Sequence, residues 1–213
     1  LDYEEKIQFK VSDGKRILIK TLVDISDIEL FKILTGMPFG YLFSQKGFHC
    51  FHACIVEKNN KAYAFCGLSG SGKSSIGLSL ILNKGFKLVS EDLAIIHSSG
   101  YVFQLGNFIC AEDKLISSNK SQVKETILLE GDRRHRSFIK LQSKTLSKNH
   151  SPLGACFFLD WSNSNKIESI DSKESFKRIF THSYRLREKN INNDLALNQL
   201  KLFTNFVNRT PCF

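Results

Sequence analysis

At 213 residues, 42% hydrophobic and 24% charged, the chain has the composition of a globular protein with one good-sized core, or a core with a small appendage. Nowhere do about eighteen apolar residues run together, so no membrane span is encoded. The net charge of +9 points to acidic partners, but the 30 basic residues are spread along the chain and densest only at Arg133-Arg134-His135-Arg136, so a nucleic-acid surface is not expected.

The six cysteines, at 50, 54, 66, 110, 156 and 212, show no paired zinc spacing. Cys54, Cys66, Cys110 and Cys156 fall in apolar strand-like runs as small core residues, and a reducing cytoplasm is the expected compartment. The N-terminal LDYEEKIQFKV has no basic region ahead of an apolar run, so no signal peptide is expected. Lacking an initiator Met, the chain reads as processed, trimmed or incomplete.

Residues 6–22 alternate as two strands around Ser12-Asp13-Gly14, and Asp-Gly between alternating runs signals a hairpin. Ser26-Asp27 then cap a short helix over IELFKIL that ends near Gly36. From Phe39 to Phe48 the chain is aromatic, with Gly40 and Gly47 breaking any long element. Two further apolar runs flank Lys58-Asn59-Asn60-Lys61, which reads as a tight turn.

The second of those runs, Ala62 to Cys66, is a buried strand leading into Gly67-Leu68-Ser69-Gly70-Ser71-Gly72-Lys73-Ser74, which fits the phosphate-loop pattern. Apolar positions Ile76, Leu78, Leu80 and Ile81 continue it as a helix. Each part has a physical role. The glycines let backbone N–H groups turn inward around phosphates, where a Cβ would obstruct. The helix start adds its positive dipole end. Lys73, an exposed loop lysine on this reading, reaches the outer phosphates, and Ser74 offers a hydroxyl to Mg²⁺. The loop emerges from the second arm of an antiparallel hairpin, whereas an ordinary phosphate-loop NTPase reaches it from a mostly parallel sheet.

Gly85 closes the helix, and FKLVSEDLAIIH follows as a strand, the acidic pair Glu91-Asp92 and another strand. Ser98-Ser99-Gly100 turns into YVFQL, a further hairpin. Residues 111–125, rich in Lys, Ser and Asn, read as a surface loop. ILLE and SFIKLQ are strand-like pieces on either side of GDRRHR, and Ser143 to Ser151 is a polar connector. LGACFFLDW is a strongly apolar strand and KIESI a short one. KESFKRIF and DLALNQLKLFTNFV are amphipathic helices. With no internal repeat or low-complexity linker, residues 1–213 read as a single α/β domain, on which residues 1–47 pack as N-terminal strands and a short helix.

Three constellations compete to act on the bound phosphate. Glu91 and Asp92, at a strand end beside the loop, supply one carboxylate for Mg²⁺ and one to accept a hydroxyl proton; the alternative is an acidic surface turn. His52 lies on the hairpin arm antiparallel to the loop strand, where a histidine is ordinarily a core or edge residue, and nearby His49 dilutes its signal. Asp160 closes the run Ala155-Cys156-Phe157-Phe158-Leu159, the pattern of the Mg²⁺-ordering carboxylate of ordinary NTPases and equally of any buried strand ending in a polar loop.

The order histidine, strand, turn, strand, phosphate loop, helix, glycine, strand, acidic pair resembles the catalytic domain of HPr kinase/phosphorylase, itself similar in fold to phosphoenolpyruvate carboxykinase. The resemblance covers about Phe51 to Ile96, and His52 precedes Gly67 by fifteen residues, as the histidine does in that family. It implies a mixed sheet with a hairpin before the phosphate loop and helices at the C-terminus. It further implies an ATP- and Mg²⁺-dependent kinase acting on a serine hydroxyl of a peptide or protein. On that basis Gly67, Ser69, Gly70, Ser71, Gly72, Lys73, Ser74 and Ser75 form the nucleotide-binding set, and Ser74 and Asp92 hold the metal. Glu91, Asp92 and His52 stand at the reacting end, with Arg133 and Arg134 (and Arg136) in a segment that could fold over the site to meet phosphoryl charge.

This chain departs from the family at two positions. Glu91 stands where the family has an aspartate, and Ser75 where HPr kinases carry an acidic residue. The separate N-terminal domain of full HPr kinases and the segment tied to their reverse reaction have no counterpart in these residues, so HPr itself is not the expected acceptor. Smaller relatives that modify a serine of peptide natural-product precursors share this short plan. Oligomeric state is left open, a homo-oligomer included. The rival readings are an ordinary NTPase or small-molecule kinase using Asp160, and a non-catalytic nucleotide sensor. A hairpin partner carrying His52 beside the loop strand favours the kinase, and a parallel neighbour ending at Asp160 favours the NTPase.

Overall fold

Two short-range signals build the N-terminal layer. The computed structural model describes residues 2–3, 6–116, 120–128, 136–148, 150–184 and 193–213. β1 (Asp2–Tyr3), β2 (Ile7–Ser12) and β3 (Arg16–Thr21) form an antiparallel sheet in which Ile7 and Phe9 are buried and Gln8 and Lys10 exposed. The β2–β3 turn holds Asp13 and Gly14 at φ of 57° and 59°, the positive pair that a tight hairpin needs. In α1 (Asp27–Thr35) the Ser26 hydroxyl accepts the Glu29 N–H at 3.3 Å, and the helix closes at Gly36.

α2 (Met37–Gln45) runs straight through Gly40, where the sequence predicts an interruption. The glycine is there for close approach: a Cβ would lie 2.5 Å from Tyr184 Cγ. Tyr184 reaches from there toward the acidic pair.

The main sheet has seven strands in the order β4-β8-β9-β13-β6-β5-β7. These are β4 (His49–Phe51), β5 (Ala53–Lys58), β6 (Lys61–Cys66), β7 (Lys87–Ser90), β8 (Ala94–Ile96), β9 (Tyr101–Val102) and β13 (Ser151–Phe158). Every neighbouring pair named in that sheet is antiparallel except β13 with β6, so the sheet is mixed. The β5–β6 hairpin turns through Asn59 and Asn60 at φ of 53° and 60°, as its sequence requires. A second antiparallel sheet comprises β10 (Phe108–Glu112), β11 (Val123–Leu128) and β12 (Arg136–Leu141).

Period-two alternation divides the core. Ala53, Ile55, Ala62, Ala64 and Cys66 face Ile179 of α4 (Ser172–His182) and Phe203 and Phe206 of α5 (Asn193–Arg209). Cys54 and Val56 face Leu78 and Ile81 of α3 (Lys73–Lys84), which also meets Ile109 and Ile139 of the second sheet. Each such aliphatic side chain contributes roughly 1.5–3 kcal/mol by burial, so the loop strand is clamped between two apolar layers. All six cysteines are buried free thiols. Among the described residues no helix is long and apolar enough to cross a membrane.

Two further expectations are corrected. Residues 111–125 are not a plain surface loop: β10 runs through Glu112, short 3-10 turns cover Asp113–Ile116 and Lys120–Gln122, and β11 starts at Val123. Buried Ile116 packs in the layer around α3, an anchor hidden among polar neighbours. KIESI is not a strand: Ile167 is 75% exposed, and Ile170 makes an isolated hydrogen bond from its N–H to Cys212 O at 3.1 Å.

Candidate active site

Strand polarity brings four chain segments to one edge of the sheet. β6 ends at Cys66 opposite Ala53, which sets His52 beside Gly67. β7 pairs with β5 through Ile55 and Ser90, so Glu91 and Asp92 emerge at the same edge. β13 runs parallel to β6 with Phe158 opposite Cys66, so Leu159 and Asp160 leave there too. The hairpin partner following His52 and a parallel neighbour ending at Asp160 therefore both flank the loop strand. Strand order alone does not separate the kinase from the NTPase.

Gly67, Gly70 and Gly72 have φ of 156°, 87° and 92°. A Cβ on Gly67 would fall 2.4 Å from Ser71 Oγ and 3.0 Å from Leu159 O, so the loop can bend back only as glycine. Ser69 and Gly70 form the turn, with Ser71 N–H donating to Leu68 O at 3.1 Å. Gly72 caps α3, which leaves the first-turn N–H groups of Lys73, Ser74 and Ser75 at the helix's positive end.

Lys73 is buried, not exposed as its loop position predicts: its side chain crosses the loop, and Nζ donates to Gly67 O and Leu68 O, each at 3.0 Å. Burial lowers its pKa, against the pull of Asp92. Ser71 Oγ is buried without a partner, an acceptor or donor already withdrawn from solvent.

Glu91 is the most constrained carboxyl of the site. Oε2 accepts the Cys110 N–H from β10, and Oε1 is buried with no hydrogen-bond partner. Burial first, and the adjacent Asp92 charge second, push the Glu91 carboxyl well above the usual carboxylate range, while the Ser74 hydroxyl and Cys110 N–H pull it down. Asp92 sits in the left-handed region at φ of 60°, its carbonyl accepting from Tyr184 Oη at 3.1 Å. Its carboxylate is 3.8 Å from His52 Nε2. Burial lowers the His52 pKa, against the pull of Asp92. Backbone strain at Asp92 and an orphaned oxygen at Glu91, side by side, mark this turn as built for something other than stability.

Phe31, Lys32 and Thr35 of α1 and Leu105, Phe108 and Phe138 line a small cavity that opens onto Glu91 and Asp92. Ser74 and Asp92 carry hard oxygen donors, the kind Mg²⁺ takes. Among the described residues no group of three or more His, Cys, Asp or Glu side chains is arranged to hold a metal unaided.

Across the loop, Asp160 is 71% exposed and paired with Arg178 Nη1 at 2.6 Å. Arg178 also donates to Glu174 at 2.8 Å and lies over the Phe158 ring, on which His182 stacks. Burial, then His52, Lys73 and Arg178, lower the His182 pKa, so α4 brings a cation and an imidazole within electrostatic reach of the loop. Sequence reasoning missed both. Their signal is the i, i+4 stripe Glu174–Arg178–His182 on an amphipathic helix. His49 has no part in the site: it is buried against Phe203 and Phe206. Arg133 and Arg134 lie outside the described residues, and Arg136 opens β12 opposite Glu112.

No family model matches the chain. No curated protein matches it either. Among solved structures it is similar to the Hpr(Ser) kinase/phosphatase from Coxiella burnetii, with 17% sequence identity and a TM-score of 0.32 over 56% of this chain and 70% of that one. The likeness is distant, and the chemistry of the site rests on its own geometry.

Proposed function

We propose that the chain is an HPr-kinase-like enzyme on a phosphoenolpyruvate-carboxykinase-like phosphate-loop fold, transferring the terminal phosphoryl group of ATP to a serine hydroxyl of a peptide or protein. The observation that carries this reading is Glu91: a buried carboxyl of raised proton affinity, one oxygen unpartnered, beside Ser74 of the loop and at the mouth of a cavity. The loop N–H groups and Lys73 hold the phosphates, with Lys73 exchanging the loop carbonyls for phosphate oxygens. Ser74 and Asp92 would hold Mg²⁺, which supplies charge neutralisation on the phosphates. His52 stands beside Asp92, its Nε2 3.8 Å from the carboxylate.

The acceptor hydroxyl enters past Phe31 and Phe108. Glu91, as carboxylate, takes its proton as the oxygen attacks the terminal phosphorus and the bond to the bridging oxygen of ADP breaks. Transfer should therefore rise with pH until the raised Glu91 carboxyl is ionised. Six buried thiols suit a reducing cytoplasm as the setting.

The test is incubation with terminally labelled ATP and Mg²⁺ against a lysate or serine-peptide library, followed by mass spectrometry. Incorporation into serine that is lost in Glu91→Gln supports the reading. A second reading, an ordinary NTPase in which Asp160 orders the metal, is favoured by the parallel pairing of β13 with β6. It would release free phosphate with no labelled acceptor.

A further inference from the structure

The exposed tryptophan just beyond β13 carries a further assignment, which rests on the triphosphate reading above. With the terminal phosphate facing Glu91, Asp92 and His52 on the β5–β7 side, as that reading has it, the flank of the loop left for the nucleoside is the one along β13. There the chain turns out of the sheet directly beside the loop: Leu159 N–H donates to Cys66 O at 2.8 Å, and Leu159 O would lie 3.0 Å from a Cβ on Gly67.

Alternation fixes which face each side chain takes. Phe158 and Asp160 both meet Arg178 on the α4 face. Phe157 takes the other face, stacked on Phe65 at 5.4 Å and on Phe213 at 5.2 Å. Leu159 falls on that side, the one on which α3 packs, and Trp161, beyond the end of β13, is the next residue of the same parity. Trp161 is 85% exposed and Leu68, within the loop itself, 74%. Both lie next to the cradle in the chain, Leu68 within the loop and Trp161 two residues after Leu159, whose carbonyl backs Gly67. A flat indole is what a purine ring stacks on.

We propose that Trp161 is the nucleobase platform of the site, with Leu68 completing an apolar slot for a purine. This divides the edge of the sheet by chemistry: base at β13, phosphates at the loop, acceptor at the cavity beside Glu91.

Trp161 is the chain's single tryptophan, so its emission reports on this position alone. MgATP should quench it, whereas Mg-tripolyphosphate, which has the phosphates and no base, should bind by calorimetry without quenching. Trp161→Ala should weaken MgATP binding by about 5- to 100-fold while leaving tripolyphosphate affinity unchanged. Trp161→Phe should keep most of the ATP affinity. Wild-type ATP affinity in Trp161→Ala, or equal losses for both ligands, would overturn the platform while the triphosphate reading stands. Failure of the wild-type protein to bind either ligand would remove that reading and the platform with it.

Discussion

On one side of β6, Glu91 and Asp92 leave β7; on the other, Asp160 leaves β13. All three carboxylates follow apolar strands and end beside the same loop, and by sequence pattern either side could serve the metal. Their surroundings differ. Asp160 is mostly in water and its charge is met by Arg178, a pairing worth about 0–1 kcal/mol. Glu91 is buried next to a second carboxylate, with one oxygen unpartnered and its proton affinity raised. A folded chain does not keep such an arrangement for stability, because an unsatisfied buried polar group costs about 1–3 kcal/mol. The contrast teaches that a strand-end carboxylate becomes informative through its desolvation rather than its position.

The sharpest way to break that contrast is Glu91→Gln. Transfer to the acceptor should fall about 10²–10⁴-fold, the usual contribution of a positioned base, with MgATP affinity nearly unchanged by calorimetry. The variant should not be less stable at neutral pH. A carboxyl whose folded pKa is raised loses stability as pH climbs from the ordinary carboxylate value toward the raised one, and glutamine carries no such charge. Glu91→Asp should also lose activity, by about 10²-fold, because shortening the side chain pulls its oxygen off the Cys110 N–H and misplaces the base. Wild-type-like transfer by Glu91→Gln would leave Asp92 as the base.

Lys73→Ala comes next in size. MgATP binding should weaken about 10- to 100-fold, the value of a hydrogen bond to a charged group. Because Nζ also ties Gly67 O to Leu68 O, a loss of about 1 kcal/mol in urea unfolding should accompany it. Unchanged ATP affinity would remove the phosphate loop from the argument altogether.

Asp160→Asn tests the other side and should do little: turnover within about 3-fold and stability within about 1 kcal/mol, as for an exposed ion pair. A collapse of Mg²⁺-dependent turnover would reverse the comparison and transfer the metal to β13.

What could be read in the sequence was what the chain decides locally. The Asp13-Gly14 and Asn59-Asn60 turns, the Ser26 cap and the loop glycines each follow from backbone preferences of a few adjacent residues, and all stand as expected. The adjacency of β13 to β6 was not legible, because it joins residues about ninety apart through a parallel pairing with no turn to announce it. The Cys110 N–H that holds the other oxygen of Glu91 comes from β10, about twenty residues further along the chain. Gly40 was misread because its reason is a ring from Tyr184, not the helix around it. KIESI alternates like a strand but makes only an isolated bond, from Ile170 N–H to Cys212 O, among the described residues, and alternation alone does not make a ladder.

The smallest effect on transfer belongs to His49, which separates desolvation as such from desolvation beside the loop. His49 is buried on β4 between Phe203 and Phe206, and burial brings its pKa down to about 4. In the unfolded chain the imidazole takes a proton near pH 6.5, while in the folded chain it stays neutral until about pH 4. Between those values the unfolded state binds more protons, so stability falls as pH drops across that window. At about 1.4 kcal/mol per pH unit of separation the loss amounts to roughly 3 kcal/mol. His49→Phe keeps the aromatic packing and removes the proton site, so urea unfolding measured from pH 7 to pH 4 should show a flatter decline than wild type. Transfer at neutral pH should be unchanged. An equally steep decline would show that His49 is not desolvated as its packing implies. A fall in transfer would tie β4 to the site, and burial without an adjacent carboxylate could no longer be called chemically silent.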